Sequence, residues 1–535
     1  MAGFELTAAQ AEAVMTRGCP VLVSAAAGSG KTRVLTERLL ARIQEGEDID
    51  RFLVITFTRA AAAELRGRIL EELDRRVAET PNDAHLRRQT ALLYRAQIGT
   101  IDSFCLSLLR EHASALALSP GFSVLETQRG EAMRARALDE VLDEAYERIA
   151  DDEPLRALVD TLGAGRDDQK LASLILSLHT QMQSRAFPEQ WAEQALEALE
   201  RPAEDAGQTP WGRWLLDDAA AEADWRAAEL ERALSLMRAD AAMEKAYGGA
   251  YAEAALLFRD LARFCRAGGW DRAAGYVRQG WTLRLSALRG YEDEEKKARV
   301  KTAWDDGKAA WGRLSEALAG QGDALLQELR ASAVPLRRLM ELVMAVDRNF
   351  TARKRRAEVC DFSDAEHLCV KLLAQPDGTP TPLAGQIAGR FREVMVDEYQ
   401  DVNAVQELIF HCLSGCGERL FVVGDVKQSI YRFRLADPGI FQRKYDEFSA
   451  DAHAKRVLLR ENFRSSRQVL DAANAVFGAI MSPALGEIEY NDEARLVCGL
   501  GDAADGPLPE LCVVDWDGGD ELPSNTEAEA RYVAE

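Results

Sequence analysis

Short apolar runs alternate with amphipathic segments over the first part of the chain. The runs 20–25 (PVLVSA), 52–57 (FLVITF) and 97–101 are typical of buried strands, and segments 32–43 and 103–116 repeat apolar residues at helical spacing. Strands that alternate with helices in this way form parallel sheets. The pattern therefore predicts an α/β fold at the start of the chain.

The middle of the chain has a different character. Residues 131–356 are rich in strong helix formers with a 3.6-residue apolar period, and strand signals resume only at 393–397, 420–423 and 456–459. A further strand candidate is 510–516. This order predicts one α/β domain (1–118 and 355–454) interrupted by an all-helical insertion (119–354) and followed by the start of a second α/β domain (455–535).

Two features of the helical insertion leave alternatives open. The basic run 353–356 (RKRR) is either a grip on phosphates or a solvated helix face. Tryptophans at helical spacing form interhelix cores more often than base-stacking surfaces, so we expect a core role here. The insertion holds eight of the nine tryptophans: Trp191, Trp211, Trp214, Trp225, Trp270, Trp281, Trp304 and Trp311.

Composition narrows the class of protein only a little. A hydrophobic content of 47% with 29% charged residues is ordinary for a soluble globular protein. The chain has no apolar run of about 18 residues and no secretory signal pattern, so we expect no membrane contact. Nine cysteines without a CxxC pair indicate reduced cytoplasmic thiols. A net charge of −22 argues against bulk attraction to nucleic acid, although a local basic channel is compatible with it.

Residues 25–32, AAAGSGKT, follow a predicted strand and open a predicted helix, as a phosphate-binding loop does. Small residues let the backbone N–H groups close around phosphates, and the helix N-terminus adds a positive dipole end. Lys31 would reach the β- and γ-phosphates, and the Thr32 hydroxyl would ligate Mg²⁺. The predicted nucleotide cradle consists of Ala25, Ala26, Ala27, Gly28, Ser29, Gly30, Lys31 and Thr32.

Two carboxylates follow the predicted strand 393–397, at the edge where a parallel sheet presents its functional groups. Asp397 would hold the metal, directly or through water, and Glu398 would orient and deprotonate the attacking water. The next strand, 420–423, leads to Gln428. The Gln428 amide could sense the γ-phosphate, and an ordinary polar turn is an equal alternative.

Gln10 has two interpretations of equal weight. Thr7 and Gln10 have the spacing of a capping box, in which the glutamine side chain reaches back to the N-cap backbone. A glutamine amide also suits pairing with adenine N6 and N7. The residues alone leave both interpretations open.

Together these segments resemble the superfamily 1 DNA helicases of the UvrD/Rep/RecB type. LTAAQ, AAAGSGKT, ITFTRAAAAEL, GTIDSF, VDEYQD, GDVKQSIYRFR and ENFRSS are similar to successive motifs of that family and cover both α/β segments. The resemblance implies a RecA-like P-loop motor domain with a large all-α insertion and the start of a second RecA-like domain. It also implies ATP and Mg²⁺ as cofactors and favours the adenine-reading role for Gln10.

Within that family, GDVKQSIYRFRLADP and DFSD at 361–364 resemble the A-type subunits of AddAB helicase–nucleases more than UvrD or Rep. This implies an ATP-dependent 3′→5′ DNA helicase that acts on single- and double-stranded DNA with an AddB-like partner subunit. Such enzymes process double-strand DNA ends for recombinational repair. A stand-alone UvrD/Rep-type repair helicase and a non-catalytic DNA-binding or assembly fragment are the alternatives.

The resemblance also implies roles for residues outside the nucleotide cradle. Arg464 would neutralise γ-phosphate charge in the transition state. Phe463 would stack on adenine, with core packing as its alternative. Phe433 stands where relatives often carry a base-stacking tryptophan, and Asp102 stands where many carry histidine. The implied single-strand contacts are Phe57, Thr58, Arg59, Thr100, Asp102, Ser103 and Phe433.

The later motifs of the family, including a second arginine finger and the nuclease motif, are not found in this sequence. We therefore expect the chain to be an N-terminal part of such a protein. A site that lacks half of its closing residues is expected to bind nucleotide weakly and to turn it over slowly.

Overall fold

A computed structural model describes residues 5–162, 169–201, 203–486, 488–501, 506–514 and 524–534. The chain divides into two compact units. The first, called the sheet unit, comprises Met1–Met133, Thr180–Pro188 and Thr351–Glu535, and the second, called the helical unit, comprises Arg134–His179 and Glu189–Phe350.

The sheet unit is built on a six-stranded sheet with the strand order β3-β2-β6-β7-β1-β8, and every pairing in it is parallel. Two short parallel pairs, β4 with β5 and β9 with β10, lie outside it. The strands are β1 (Val21–Ala25), β2 (Phe52–Ile55), β3 (Gln97–Gly99), β4 (Ser123–Val124), β5 (Val359–Cys360), β6 (Glu393–Val396), β7 (Leu420–Gly424), β8 (Lys455–Leu459), β9 (Glu461–Asn462) and β10 (Val497–Cys498).

Helices make up most of the remaining described residues. They are α1 (Ala8–Met15), α2 (Lys31–Gln44), α3 (Arg59–Glu79), α4 (Ala84–Leu92), α5 (Ile101–Glu111), α6 (Thr127–Glu147), α7 (Glu153–Leu162), α8 (Gln169–Met182), α9 (Pro188–Glu200), α10 (Pro210–Met237), α11 (Ala241–Met243), α12 (Gly249–Arg266), α13 (Trp270–Val277), α14 (Glu294–Ala317), α15 (Gly322–Arg356), α16 (Phe362–Leu373), α17 (Pro382–Ala388), α18 (Ala404–Leu413), α19 (Pro438–Ala450), α20 (Arg467–Ile480), α21 (Pro483–Gly486) and α22 (Asn525–Ala534). None of the described helices has an apolar stretch long enough to cross a membrane.

Both faces of the sheet are buried, which explains why its strands are continuous apolar runs. In β1, Leu22 packs into the core on one face, whereas Val21 and Val23 pack into the core on the other. Because successive side chains of a strand point to opposite faces, one apolar run serves both cores. The carboxyl ends of these parallel strands meet at one edge, which is where the candidate site lies.

A buried ion pair ties helix α2 to strand β6. The Arg38 guanidinium donates through Nε to the Glu393 carboxylate at 3.0 Å and through Nη1 to the Ala13 carbonyl at 2.7 Å. It also lies over the Phe421 ring, 4.4 Å from its centroid. Since α2 follows the phosphate loop and β6 precedes Asp397, this pair holds the two halves of the site in register.

The predicted α/β fold with helical insertions is confirmed, with strand boundaries within two residues of those expected. The strand Lys455–Leu459 pairs with β1 and belongs to the main sheet. The strand predicted over 510–516 is wrong for residues 510–514, which form no strand, and 515–516 lie outside the described residues. Residues 506–514 are largely exposed, so their apolar side chains gain no burial from pairing.

The core role expected for the tryptophans holds for some and is wrong for others. Trp270, Trp304 and Trp311 are buried in the core of the helical unit. On α10, however, Trp211, Trp214 and Trp225 are 44%, 67% and 55% exposed. The buried face of α10 carries small residues, among them Ala219, Ala220, Ala223 and Ala227. Alanines let α10 and α12 approach closely, which leaves no room for indole rings on that face.

Neither interpretation of the basic run 353–356 describes Lys354. Its side chain is buried and pairs with Asp361 at 2.8 Å and with Asp364 at 2.7 Å. Those two aspartates also form the capping box of α16. The DFSD segment therefore has a structural role here, since it caps a helix and neutralises a buried lysine.

Candidate nucleotide site and strand-binding edge

The loop between β1 and α2 forms a cradle that requires glycine at two positions. Gly28 and Gly30 have φ angles of +67° and +88°, in the left-handed region. A Cβ on Gly28 would lie 2.8 Å from Asn462 Nδ2 and 2.9 Å from Arg464 Cβ. Within the described residues, the buried Ser29 hydroxyl has no hydrogen-bond partner. A tight backbone cradle with a buried polar atom suits a phosphate ligand.

The structure brings together three of the residues predicted from the sequence. Lys31 Nζ lies 2.7 Å from Glu398 Oε2 and 3.3 Å from Gln428 Oε1. Asp397 precedes Glu398, and its backbone N–H donates to the Ile55 carbonyl at 2.9 Å. The phosphate-loop lysine, the paired carboxylates and the amide thus converge at the carboxyl edge of the sheet.

Glu398 is held by a residue that the sequence interpretation missed. Its backbone is left-handed, with φ +50°. Gln400 Nε2 donates to Glu398 Oε2 at 2.9 Å, and Gln400 Oε1 accepts from the Asp425 N–H at 2.9 Å. The Gln400 amide therefore links the tips of β6 and β7. The available signal was its place in the polar turn directly after a buried strand.

Gln428 is oriented by Asp425, which was likewise not predicted as a site residue. Gln428 Nε2 donates to Asp425 Oδ2 at 2.8 Å, which turns its Oε1 toward Lys31. Lys427 Nζ pairs with Asp425 Oδ1 at 2.8 Å. Gln428 thus belongs to a polar turn and also faces the phosphate loop, so its two interpretations are compatible.

Gln10 forms the capping box. Its Oε1 accepts from the Thr7 N–H at 3.1 Å, and its own N–H donates to Thr7 Oγ1 at 3.2 Å. Its Nε2 donates to the Ser29 carbonyl at 2.9 Å, and the side chain is buried. Gln10 therefore braces the phosphate loop. The adenine-reading role stays a prediction, since it requires the amide to exchange these partners.

The ENFRSS segment lies directly on the phosphate loop. Asn462 Nδ2 donates to the Ala27 carbonyl at 2.7 Å, and the Phe463 N–H donates to the Gly28 carbonyl at 2.9 Å. Asn462 Oδ1 accepts from the Arg464 N–H at 2.8 Å, and this bond holds the backbone of Arg464 in place. The Phe463 ring packs so tightly on Gly499 that a Cβ there would lie 2.5 Å from it. Asn462 is a further residue that sequence reasoning missed.

Two aspartates at this edge have perturbed pKa values. Burial raises the pKa of Asp397 to about 6, the adjacent Glu398 carboxylate adds to the rise, and Lys31 opposes it. Burial and Glu398 likewise raise the pKa of Asp401 to about 6. Buried carboxylates with raised pKa values and a charged neighbour are typical of functional sites.

The raised pKa predicts how Asp397 affects stability. An unfolded aspartate titrates near pH 3.9, so between about pH 4 and 6 the folded chain binds more protons. The free energy of unfolding should therefore fall as the pH rises through this window and stay lower above it. Asp397→Asn should stabilise the chain at pH 7, by at most about 3 kcal/mol, and have little effect at pH 4.

Denaturant titrations at both pH values measure this effect. Asp492→Asn, a change at an exposed carboxylate, serves as the control and should have the same stability as the wild type at each of the two pH values. An Asp397→Asn variant that is less stable than the wild type at pH 7 would contradict the claim that the folded chain disfavours the charged form of Asp397.

The predicted strand-contact residues lie where neighbouring strands end. Thr58 caps α3 by accepting from the Ala61 N–H at 3.1 Å, and Thr100 caps α5. The Ser103 hydroxyl bonds to Thr100 Oγ1 at 2.9 Å. Burial raises the pKa of Asp102, and the nearby exposed Arg59 opposes that rise. These residues surround the ends of β2 and β3.

An aromatic row extends from the end of β2. The ring centroids of Phe57 and Tyr431 are 4.6 Å apart, and those of Tyr431 and Phe433 are 5.8 Å apart. Phe433 is 75% exposed. The Arg434 guanidinium lies 5.3 Å from the Tyr431 centroid and 5.6 Å from that of Phe433. Tyr431 and Arg434 were not predicted, although they adjoin Phe433 in the sequence.

Comparison with known proteins agrees with this geometry. Residues 6–449 match the model of the UvrD/REP helicase N-terminal domain, which covers most of the chain. The chain belongs to the UvrD/REP helicase family. The phosphate loop, the paired carboxylates and the aromatic row all lie within the matched range.

Among curated proteins, this UvrD/REP-type chain is similar to several that are named as the A-type subunit of an ATP-dependent helicase/nuclease. It is 39% identical to that of Pelotomaculum thermopropionicum, 36% to that of Acetivibrio thermocellus and 38% to that of Desulforudis audaxviator. The alignments cover 94%, 92% and 92% of this chain and 40%, 40% and 41% of the relatives. The chain thus spans about two fifths of their length.

Proposed function

We propose that this chain carries the ATP-binding half of a 3′→5′ DNA helicase, the A-type subunit of a helicase–nuclease that processes double-strand DNA ends for recombinational repair. The observation that carries the proposal is the convergence of Glu398 and Gln428 on the Lys31 ammonium, at an edge that also holds the aromatic row. The relatives' name supports the helicase–nuclease assignment. Stimulation of ATP hydrolysis by single-stranded DNA, measured in a full-length subunit that contains this chain, tests it.

ATP and Mg²⁺ are the ligands that these residues fit. The backbone of residues 26–30 and the Lys31 ammonium would hold the β- and γ-phosphates, and Thr32 and Asp397 would hold the metal. The glycine-dependent cradle and the Ser29 hydroxyl, which has no hydrogen-bond partner in the part of the chain that the structure describes, support this fit. When bound, ATP supplies the phosphoryl bond whose hydrolysis drives the motor.

Glu398 acts as the general base that accepts a proton from water. In the structure its carboxylate pairs with Lys31, so Lys31 must exchange that carboxylate for phosphate before Glu398 can act. The Gln400 amide keeps the released carboxylate in place. Gln428 is held by Asp425 and also contacts Lys31. Phosphate binding to Lys31 would therefore change a contact of the turn that leads into the aromatic row.

The ENFRSS turn would supply two further residues to the nucleotide. Arg464 compensates charge on the γ-phosphate, and its backbone is fixed beside Gly28 by Asn462. Phe463, in the same turn, would stack its ring on adenine. The second motor domain begins after β8, because that strand still belongs to the first sheet.

The aromatic row is the contact surface for single-stranded DNA. Stacking on aromatic rings is tolerant of sequence, as a motor that moves over any sequence requires. Thr58, Arg59, Thr100 and Ser103 flank the row as polar contacts. The A-type relatives are named as subunits, which supports an AddB-like partner subunit for this chain as well.

Phe433→Ala is expected to weaken single-stranded DNA binding by roughly 5- to 150-fold. The reason is that one stacked base contributes about 1–3 kcal/mol. Fluorescence anisotropy with labelled oligothymidine measures the change. Tyr94→Ala removes another exposed ring, one that precedes β3 and so lies away from the carboxyl edge, and should leave the affinity unchanged. Equal losses in the two variants would contradict a specific stacking surface.

A further inference from the structure

The solvent-facing side of α10, in the helical unit, carries large apolar side chains. They are Trp211, Trp214, Trp225 and Leu236, and they lie opposite the alanines on the buried side of the same helix. Trp225 follows Trp214 by eleven residues and precedes Leu236 by eleven, an interval of about three helical turns. These three side chains therefore form one line along α10. Exposed apolar patches of this kind are typical of interaction surfaces.

Two charged side chains of opposite sign interrupt the apolar line. Asp218 precedes Trp225 by seven residues and Arg232 follows it by seven, so each lies about 10 Å from Trp225 along the helix. The Arg232 guanidinium lies over the Trp225 ring, 5.2 Å from its centroid. Asp218 is exposed and makes no ion pair with the other residues that the structure describes.

The carboxylates that flank this face are paired within the chain. Arg213 pairs with Asp217 at 3.1 Å. Arg226 pairs with Glu222 at 3.0 Å and with Glu229 at 2.5 Å. The exposed face thus presents an apolar line with one negative and one positive group, in a chain whose net charge is −22. It is therefore a surface that a second acidic chain can approach without net repulsion.

The face is complementary to itself under a two-fold rotation. An axis through Trp225 brings a second α10 alongside in the antiparallel direction, as in the isologous interfaces of symmetric dimers. Trp225 then meets its own copy, and Asp218 meets Arg232 in both directions. Trp214 meets Leu236. We propose that the exposed face of α10 binds α10 of a second copy of this chain in this antiparallel arrangement. The inference is independent of the proposed function.

The exposed indole rings set the expected strength of the contact. At about 250 Å² for a whole tryptophan side chain, the exposed fractions of the three rings amount to roughly 400 Å² on each copy. Leu236 and the exposed Ala221 bring the total for two copies to about 1,000 Å², the lower limit of a specific interface. We therefore expect a weak dimer that forms only as the protein concentration rises.

The experiment is sedimentation velocity over a wide range of concentrations, with a full-length subunit that contains this chain. The wild type should shift from monomer to dimer as the concentration rises. Trp225→Ala removes the contact at the two-fold axis and should raise the dissociation constant by roughly 30-fold or more. Tyr94→Ala removes an exposed ring outside the helical unit and should leave the dissociation constant unchanged.

An exchange of charges tests the register. Asp218→Arg alone places two arginines opposite each other in both symmetric contacts, and Arg232→Asp alone places two aspartates there. Each variant should therefore dimerise at least about 10-fold more weakly than the wild type. An equal mixture of the two variants should recover the dimer, because each contact then joins an arginine to an aspartate. Recovery also excludes misfolding as the cause of the loss.

Three results would overturn the proposal. The first is a wild type that stays monomeric at every concentration. The second is a single charge variant that dimerises as well as the wild type, or a mixture that does not recover the dimer. The third is a Trp225→Ala variant that binds a partner subunit more weakly and keeps its self-association, because the face would then belong to a different interface.

Discussion

In a full-length helicase subunit that contains this chain, replacing Lys31 by alanine is expected to abolish DNA-stimulated ATP hydrolysis, a loss on the order of 10³-fold or more. Removing a single preorganised charge-stabilising group commonly costs about 10²–10³-fold. Here the cost is larger because Lys31 also neutralises Glu398, whose carboxylate lies 2.7 Å away. Without the lysine, that carboxylate faces the incoming phosphates unpaired. Both nucleotide affinity and turnover should therefore fall.

Steady-state hydrolysis with saturating single-stranded DNA measures the turnover, and a fluorescent nucleotide measures the affinity. Lys455→Ala removes a surface lysine paired with Glu12 and should keep both near wild type. If Lys31→Ala hydrolysed ATP at more than a few per cent of the wild-type rate, the phosphate-loop assignment would be wrong.

Glu398→Gln is expected to change nucleotide affinity and ATP hydrolysis in opposite directions. General-base catalysis contributes about 10²–10⁴-fold, and the amide cannot accept the proton, so hydrolysis should fall by that order. Nucleotide affinity should rise at the same time, because the neutral amide no longer competes with phosphate for Lys31. The left-handed backbone of Glu398 and its bond from Gln400 keep the side chain in place.

The rise in affinity is the informative part of this prediction, since misfolding would lower both quantities. Glu418→Gln, a change at an exposed carboxylate, is the control and should alter neither. Loss of affinity together with hydrolysis in Glu398→Gln would show that Glu398 holds the ligand and does not act as the base.

Much of the sheet could be predicted because its strands are buried on both faces and therefore read as continuous apolar runs. The site followed from this, since Lys31, Glu398 and Gln428 each come shortly after such a run. Their supports were missed for a physical reason. Asn462 and Gln400 act through long-range hydrogen bonds to Ala27 and Asp425, and no local pattern encodes such contacts.

The helical unit shows what periodicity leaves undetermined. The spacing of Trp214 and Trp225 is helical, yet it does not say which side of α10 is packed. The alanines on the opposite side decide that question, because they allow the closer helix contact. The basic run alone did not indicate that Lys354 is buried. Its partners, Asp361 and Asp364, lie beyond the end of the helix.

Strand separation on tailed duplexes tests the central claim, that these residues form an ATP-driven DNA motor, most directly. A full-length helicase subunit that contains this chain is compared with its Glu398→Gln variant on duplexes that carry either a 3′ or a 5′ single-stranded tail. We expect ATP-dependent unwinding from the 3′ tail by the wild type and none by the variant. Equal unwinding by the two proteins, or unwinding without ATP, would contradict the claim.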